Sequence, residues 1–244
     1  MNLNNLEFCH LCPRRCGVDR AAGRRGYCRA GALARVFRYG PHYGEEPPIT
    51  GRRGSGTVFF SHCTLRCIYC QNYPCSQEHH GEDMTVEQLT AVLDSLVEQG
   101  CHNWNLVSPT PWLPMIREAA APLIARDRRL PFVYNTSGFE SLETLAAYRD
   151  LADIALTDLR YARSETAAEA SDATGYVEAA RAALLWFWRE LGPLQVDDDG
   201  VARRGTICRL LVLPGHEDEA IGNLAWIARQ IGTELHVSLM SQYT

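Results

Sequence analysis

Thr57-Val58-Phe59-Phe60-Ser61-His62-Cys63-Thr64-Leu65-Arg66-Cys67-Ile68-Tyr69-Cys70 joins an apolar, β-branched run to three closely spaced thiols. The run reads as a buried strand over Val58 to Ser61, and the cysteines as the loop that leaves it. Thiolates at spacings of four and three on one tight loop can hold three corners of a cubane iron–sulfur cluster. The missing fourth ligand would leave one iron open, as chemistry at a metal requires and a structural site does not. Chance clustering and a zinc site short of one ligand are the other readings of the same spacing.

Working outward, strand and helix patterns alternate. Thr85-Val86-Glu87-Gln88 is a capping box that opens a helix running to Gly100. Strands are expected over Asn103 to Ser108, Phe132 to Asn135, Ala152 to Thr157, Ile207 to Leu213 and Leu235 to Met240. Between them, helices are expected from Thr110-Pro111 (cap and first helical residue) to about Arg126, from Leu142, from Tyr176 to Gly192 and from Ala220 to Ile231. Six apolar strands, most followed by helices, predict an α/β fold: a partial (β/α)6 TIM-like barrel with its chemistry at the carboxyl ends of the strands.

Those ends are polar. The first carries the Cys loop, the second Ser108-Pro109-Thr110, and the third Asn135-Thr136-Ser137-Gly138. The fourth carries Asp158 and Arg160, and the fifth Arg209. Together they suit an extended polar ligand lying across the barrel mouth.

Ahead of the barrel, Cys9, Cys12, Cys16 and Cys28 lie among turn-forming Pro and Gly residues. Too few apolar residues surround them to fold by packing, so a metal held by four thiols would stabilise this small irregular segment. Zinc and a second iron–sulfur cluster both suit the ligands. The expected division is therefore 1–55, a Cys-rich metal-binding segment with a linker over 38–56, and 56–244, the barrel. Cys75, Cys101 and Cys208 read as buried free thiols, and His79-His80 as a solvated loop.

All 24 basic residues are Arg, which excludes Schiff-base chemistry on lysine and a Walker-type phosphate loop. Residues 1–56 carry ten Arg against four acids, +6, leaving −11 for the rest of a chain of net charge −5. This basic head could meet nucleic acid or an acidic partner, or it could face the acidic body of its own chain. No apolar run of 18 residues and no leader pattern occurs, so neither membrane span nor signal peptide is expected. Ten cysteines then point to metal ligation in a reducing cytoplasm.

The C-x3-C-x2-C loop, with Tyr69 before its last Cys, resembles that of the radical S-adenosylmethionine (SAM) superfamily. Gly56 to Asn72, Asn105 to Thr110, Val133 to Gly138, Leu211 to Gly215, Ser238 to Tyr243 and the Cys9-His10-Leu11-Cys12-Pro13 segment resemble its pyruvate formate-lyase-activating-enzyme-like branch. The resemblance implies an oxidoreductase-like enzyme in which Cys63, Cys67 and Cys70 bind a 4Fe-4S cluster. SAM would chelate the open iron and be cleaved reductively to a 5′-deoxyadenosyl radical that abstracts hydrogen. It further implies an electron donor such as flavodoxin or ferredoxin and a protein substrate of the glycyl-radical type.

By position, the resemblance places Tyr69 near the adenine and Ser108 and Thr110 near the methionine amine. Asn135 and Ser137 would approach the ribose, Arg209 would pair with the carboxylate, and Asp158 would be a further cofactor-binding group. Arg160 stands where the activating enzymes usually have Lys. The alternative from another class is a non-catalytic zinc-binding module whose basic four-cysteine head binds RNA or protein.

Overall fold

The structure, a computed structural model, describes residues 6–241. Residues 6–33 form turns without a regular element, as their Gly and Pro content predicts. In chain order there follow β1 (Ala34–His42), α1 (Pro47–Thr50), β2 (Ser55–Phe60), α2 (Tyr73–Ser76), β3 (Glu82–Met84), α3 (Val86–Glu98) and β4 (Trp104–Val107). Next come α4 (Leu113–Ile124), β5 (Phe132–Thr136), α5 (Leu142–Ala147), β6 (Ile154–Asp158), α6 (Ser164–Ser171) and α7 (Tyr176–Leu191). The chain then adds β7 (Gln195–Val196), β8 (Ala202–Leu211), α8 (Glu217–Gln230) and β9 (His236–Met240).

All the strands share one sheet, ordered β3-β1-β2-β4-β5-β6-β8-β7, with β9 also on β8. From β2 through β4, β5, β6 and β8 to β9 every pairing is parallel. These are the six expected strands, and the mostly parallel sheet is consistent with a partial barrel. Their burial explains why they read so clearly: every residue of β2 and β5 is buried, so helices must cover the sheet.

Three strands depart from expectation: β7 pairs antiparallel with β8, and the other two lie at the opposite edge of the sheet. β1 pairs antiparallel with β2, and β3 antiparallel with β1, so residues 38–42 of the expected linker belong to the sheet. Arg38, Tyr39, Gly40 and Pro41 look like loop because β1 buries only Ala34 and Val36. Its register is set by the backbone of β2, not by an apolar pattern of its own.

The capping box is formed in full: the Thr85 hydroxyl accepts from Gln88 N, and the Gln88 side chain accepts from Thr85 N at 2.8 Å. α3 buries Leu89, Val92, Leu93 and Leu96 against a core with Trp104, Trp112, Ile116 and Phe132. A second core, containing Leu65, Leu159, Tyr161, Tyr176 and Leu184, lies beneath the Cys loop.

Candidate active site

The Cys loop is held from both sides. Leu65 is buried at 2% exposure, and the backbone N–H groups of Arg66 and Ile68 donate to Ser171 O and Ala170 O at 3.1 and 2.9 Å. α6, which the sequence pattern did not announce, therefore anchors the loop. His62, which leads into it, sits at φ +69° and stacks on His79 at 4.4 Å. Burial and the neighbouring His79 push the His62 imidazole down to about 4. His79 is thus half-buried against the loop instead of solvated, while His80 is exposed.

Cys63, Cys67 and Cys70 line one cavity of about 760 Å3 together with Tyr69, Ser108, Asn135, Ser137, Asp158, Arg160 and Arg209. Strand ends far apart in sequence therefore meet around the loop. Gly138 (φ +83°) allows this at β5: a Cβ there would stand 2.3 Å from Asp158 O, so only glycine lets the turns after β5 and β6 touch. Asn135 Nδ2 donates to Asn105 at 3.2 Å, and Ser137 O accepts the Tyr176 hydroxyl at 2.7 Å.

Two residues expected to contact the cofactor have partners within the chain. Thr110 neither caps a helix nor lines this cavity; its buried hydroxyl donates to Glu140 at 2.6 Å. The segment Thr110–Trp112 forms a 3₁₀ turn before α4, and that geometry rotates Thr110 inward. Arg209 does line the cavity, but its guanidinium is engaged by Glu46 at 2.7 Å and by Glu45. It is therefore not a free cation waiting for a carboxylate. Burial alone would raise the Glu46 carboxyl; the hydrogen bond and charge of Arg209 reverse this and hold it below the ordinary range.

Glu45, Glu46 and Glu140 had no local signal. The first two look like linker, and their partner lies more than 160 residues away. Glu140 is buried at 4% exposure among the hydroxyls of Thr110, Thr136 and Tyr134. Burial pushes its carboxyl up to about 7 against the hydroxyl bonds, which pull the other way. A raised folded pKa means the neutral form is favoured in the fold. The contribution is complete below the unfolded value of about 4.3 and lost as pH rises through about 7. Glu140→Gln should thus gain stability on the wild type by about 3 kcal/mol between pH 4 and pH 8. Urea unfolding at both values checks this, and parallel pH profiles would refute it.

The head packs onto this region. Arg20, at 1% exposure, donates to Pro111 O at 2.7 Å and to Gly31 O, while Arg14 Nε donates to Thr64 O at 3.1 Å, inside the Cys loop. Arg15 pairs with Glu143 and Arg35 with Asp83, each at 2.9 Å. The basic head thus faces the acidic body. Burial pushes the Cys12 thiol up, as do Cys28, Glu140 and Cys9 nearby. Cys75, Cys101 and Cys208 are buried free thiols, with Cys75 also at the cavity wall.

The donor set at the loop fits a cluster. Burial pushes the Cys63 thiol up to about 12, and Cys67 and Cys70 are close enough to add to the rise. Cys63, Cys67 and Cys70 face one cavity, an arrangement that suits a cluster with one iron left open.

Parallel strands that carry a three-thiol loop and a polar cavity at their carboxyl ends define a protein built to use a metal cluster on a bound ligand. The radical SAM superfamily matches residues 57–186, more than half of the chain, and the chain belongs to that superfamily. Membership implies an enzyme with a 4Fe-4S cluster and SAM. Among relatives, Uncharacterized protein MJ0674 of Methanocaldococcus jannaschii is 26% identical over 224 residues, 88% of this chain and 60% of that protein. Uncharacterized protein MJ0808 of the same organism is 26% identical over 163 residues, 59% of this chain and 47% of that protein. The chain thus matches about half to three-fifths of the length of these relatives. No described helix is long and apolar enough to cross a membrane.

Proposed function

We propose that this protein cleaves SAM reductively at a 4Fe-4S cluster held by Cys63, Cys67 and Cys70 and uses the product radical to abstract hydrogen from a substrate. The observation that carries this reading is the convergence of those thiols with Tyr69, Ser108, Asn135, Ser137 and Asp158 on one cavity. When bound, the cluster supplies the electron that splits the sulfonium. The chain's own part is to bind and orient. Tyr69 offers a ring beside the cluster loop, Ser108 and Ser137 offer hydroxyls, and Asn135 a carboxamide. Leu65, Phe59, Phe60 and Leu211 wall the cavity with apolar surface that limits water.

The finer assignment is the pyruvate formate-lyase-activating-enzyme-like branch, because the segments that resemble it make up most of β2, β4 and β5 and the ends of β8 and β9 and supply cavity residues; Gln242 and Tyr243 lie outside the described residues. Generation of a glycyl radical on a protein partner, with an electron from a flavodoxin or ferredoxin, is the task that branch suggests. Residues 1–55 form the metal-binding segment of this reading. Zinc and a second iron–sulfur cluster both suit its four thiols.

Anaerobic reconstitution with iron and sulfide tests the reading. The wild type should take up a 4Fe-4S cluster and, with dithionite, convert SAM to methionine and 5′-deoxyadenosine. Protein that takes up no iron, or that carries it without forming 5′-deoxyadenosine, would sink the proposal. Zinc in the native protein would decide the head against a cluster.

A further inference from the structure

Arg160 has two partners at once. Its Nε and Nη2 donate to one carboxylate oxygen of Asp158 at 2.8 and 2.5 Å, and its Nη1 donates to the sulfur of Cys67 at 3.0 Å. The same sulfur accepts from the Ser171 hydroxyl at 2.9 Å. Ser171 is in turn bonded to Tyr161, and Tyr161 to Tyr69. Neither Cys63 nor Cys70 accepts from a charged donor among the described residues; Cys70 meets only the Ser76 hydroxyl, at 3.2 Å.

Local structure enforces the arrangement. Leu159 is buried at 1% exposure and its N–H donates to Arg209 O at 2.8 Å, so its neighbours Asp158 and Arg160 both turn toward the cavity. The guanidinium has 21% of its side-chain surface exposed and Asp158 13%. Their charges are therefore weakly screened, and the pair holds the fork in place.

We propose that Arg160, held by Asp158, sets the reduction potential of the cluster through its hydrogen bond to Cys67, with Ser171 adding a smaller contribution. The proposal rests on the cluster reading above. Reduction adds one electron to the cluster and lowers its charge by one, with no bond made or broken. A cationic donor on a ligating sulfur stabilises the more negative reduced state and raises the potential. Asp158 opposes this with its charge while supplying the orientation. Arg160 is thus a positioning and tuning group, a role that Lys, a point charge without the planar fork, could not fill across two partners.

The test is the midpoint potential of the reconstituted protein without SAM, from dithionite titration with mediators followed by electron paramagnetic resonance. Arg160→Met should make reduction about tenfold harder, a fall of 59 mV for one electron. Ser171→Ala should move the potential the same way by less, and Asp158→Asn should move it upward. Opposite signs for the two members of one ion pair are what a merely structural role would not produce. An unchanged or raised potential in Arg160→Met overturns the proposal. So does a loss of iron confined to that variant, which would make Arg160 an assembly residue. A wild type that takes up no iron overturns the functional reading itself, a separate result.

Discussion

Cys63→Ala, Cys67→Ala and Cys70→Ala, each made alone, are expected to lose the loop cluster and with it the formation of 5′-deoxyadenosine. Each thiolate would hold a separate iron, so removing one leaves two open irons and a cluster with no fixed orientation toward its ligand. The rate should fall to the uncatalysed background, more than about 10^6-fold by the usual scale of enzymatic acceleration. The fold should survive, because the loop lies outside the ladder and its anchors are Leu65 and the backbone bonds to α6. Iron and sulfide content, 5′-deoxyadenosine yield and far-ultraviolet circular dichroism should be read on the same samples. Full iron and wild-type yield in any of the three would remove that cysteine from the site.

The second large effect is on stability. Arg209→Met should leave Glu45 and Glu46 facing each other in the cavity wall, their side chains only 7% and 8% exposed, without their shared cation. Breaking a buried ionic group by removing one partner costs about 3–5 kcal/mol, far more than a surface pair. The sign with pH follows from Glu46. Its lowered pKa in the fold makes the contribution complete above the unfolded value of about 4.3 and lost as pH falls below it. The deficit of Arg209→Met should therefore be largest near neutral pH and shrink on acidification. Adding Glu45→Gln and Glu46→Gln should recover much of the loss. Urea unfolding of the single and triple variants checks both statements, and a deficit below about 1 kcal/mol at pH 7 would show that the trio is not a stabilising unit.

The parts of the fold legible in the sequence are those whose cause is local. β2, β4, β5 and β6 each bury side chains on both faces, so each is a short apolar run, whereas β8 is apolar only over its second half and β9 has no buried residue. The start of α3 is a four-residue exchange of hydrogen bonds written directly into Thr85 to Gln88. β1 was not legible, because Phe37, Arg38 and Tyr39 are exposed and mixed in character. Its strand conformation comes from pairing with β2. Nor was α6, whose polar sequence Ser164–Ser171 has a weak apolar face yet fixes the Cys loop through two backbone bonds.

The cavity divides in the same way. Cys63, Cys67 and Cys70 lie within eight residues, so covalent geometry alone keeps three thiols on one loop, and that much the sequence by itself determined. Only the tertiary structure decided which charges meet there. Thr110 turned from the cavity to Glu140, Arg209 was taken by Glu45 and Glu46, and Arg160 reached the sulfur of Cys67. The physical reason is that a buried charge must find a partner wherever the fold brings one within a few ångströms. Here those partners lie between 30 and 164 residues away.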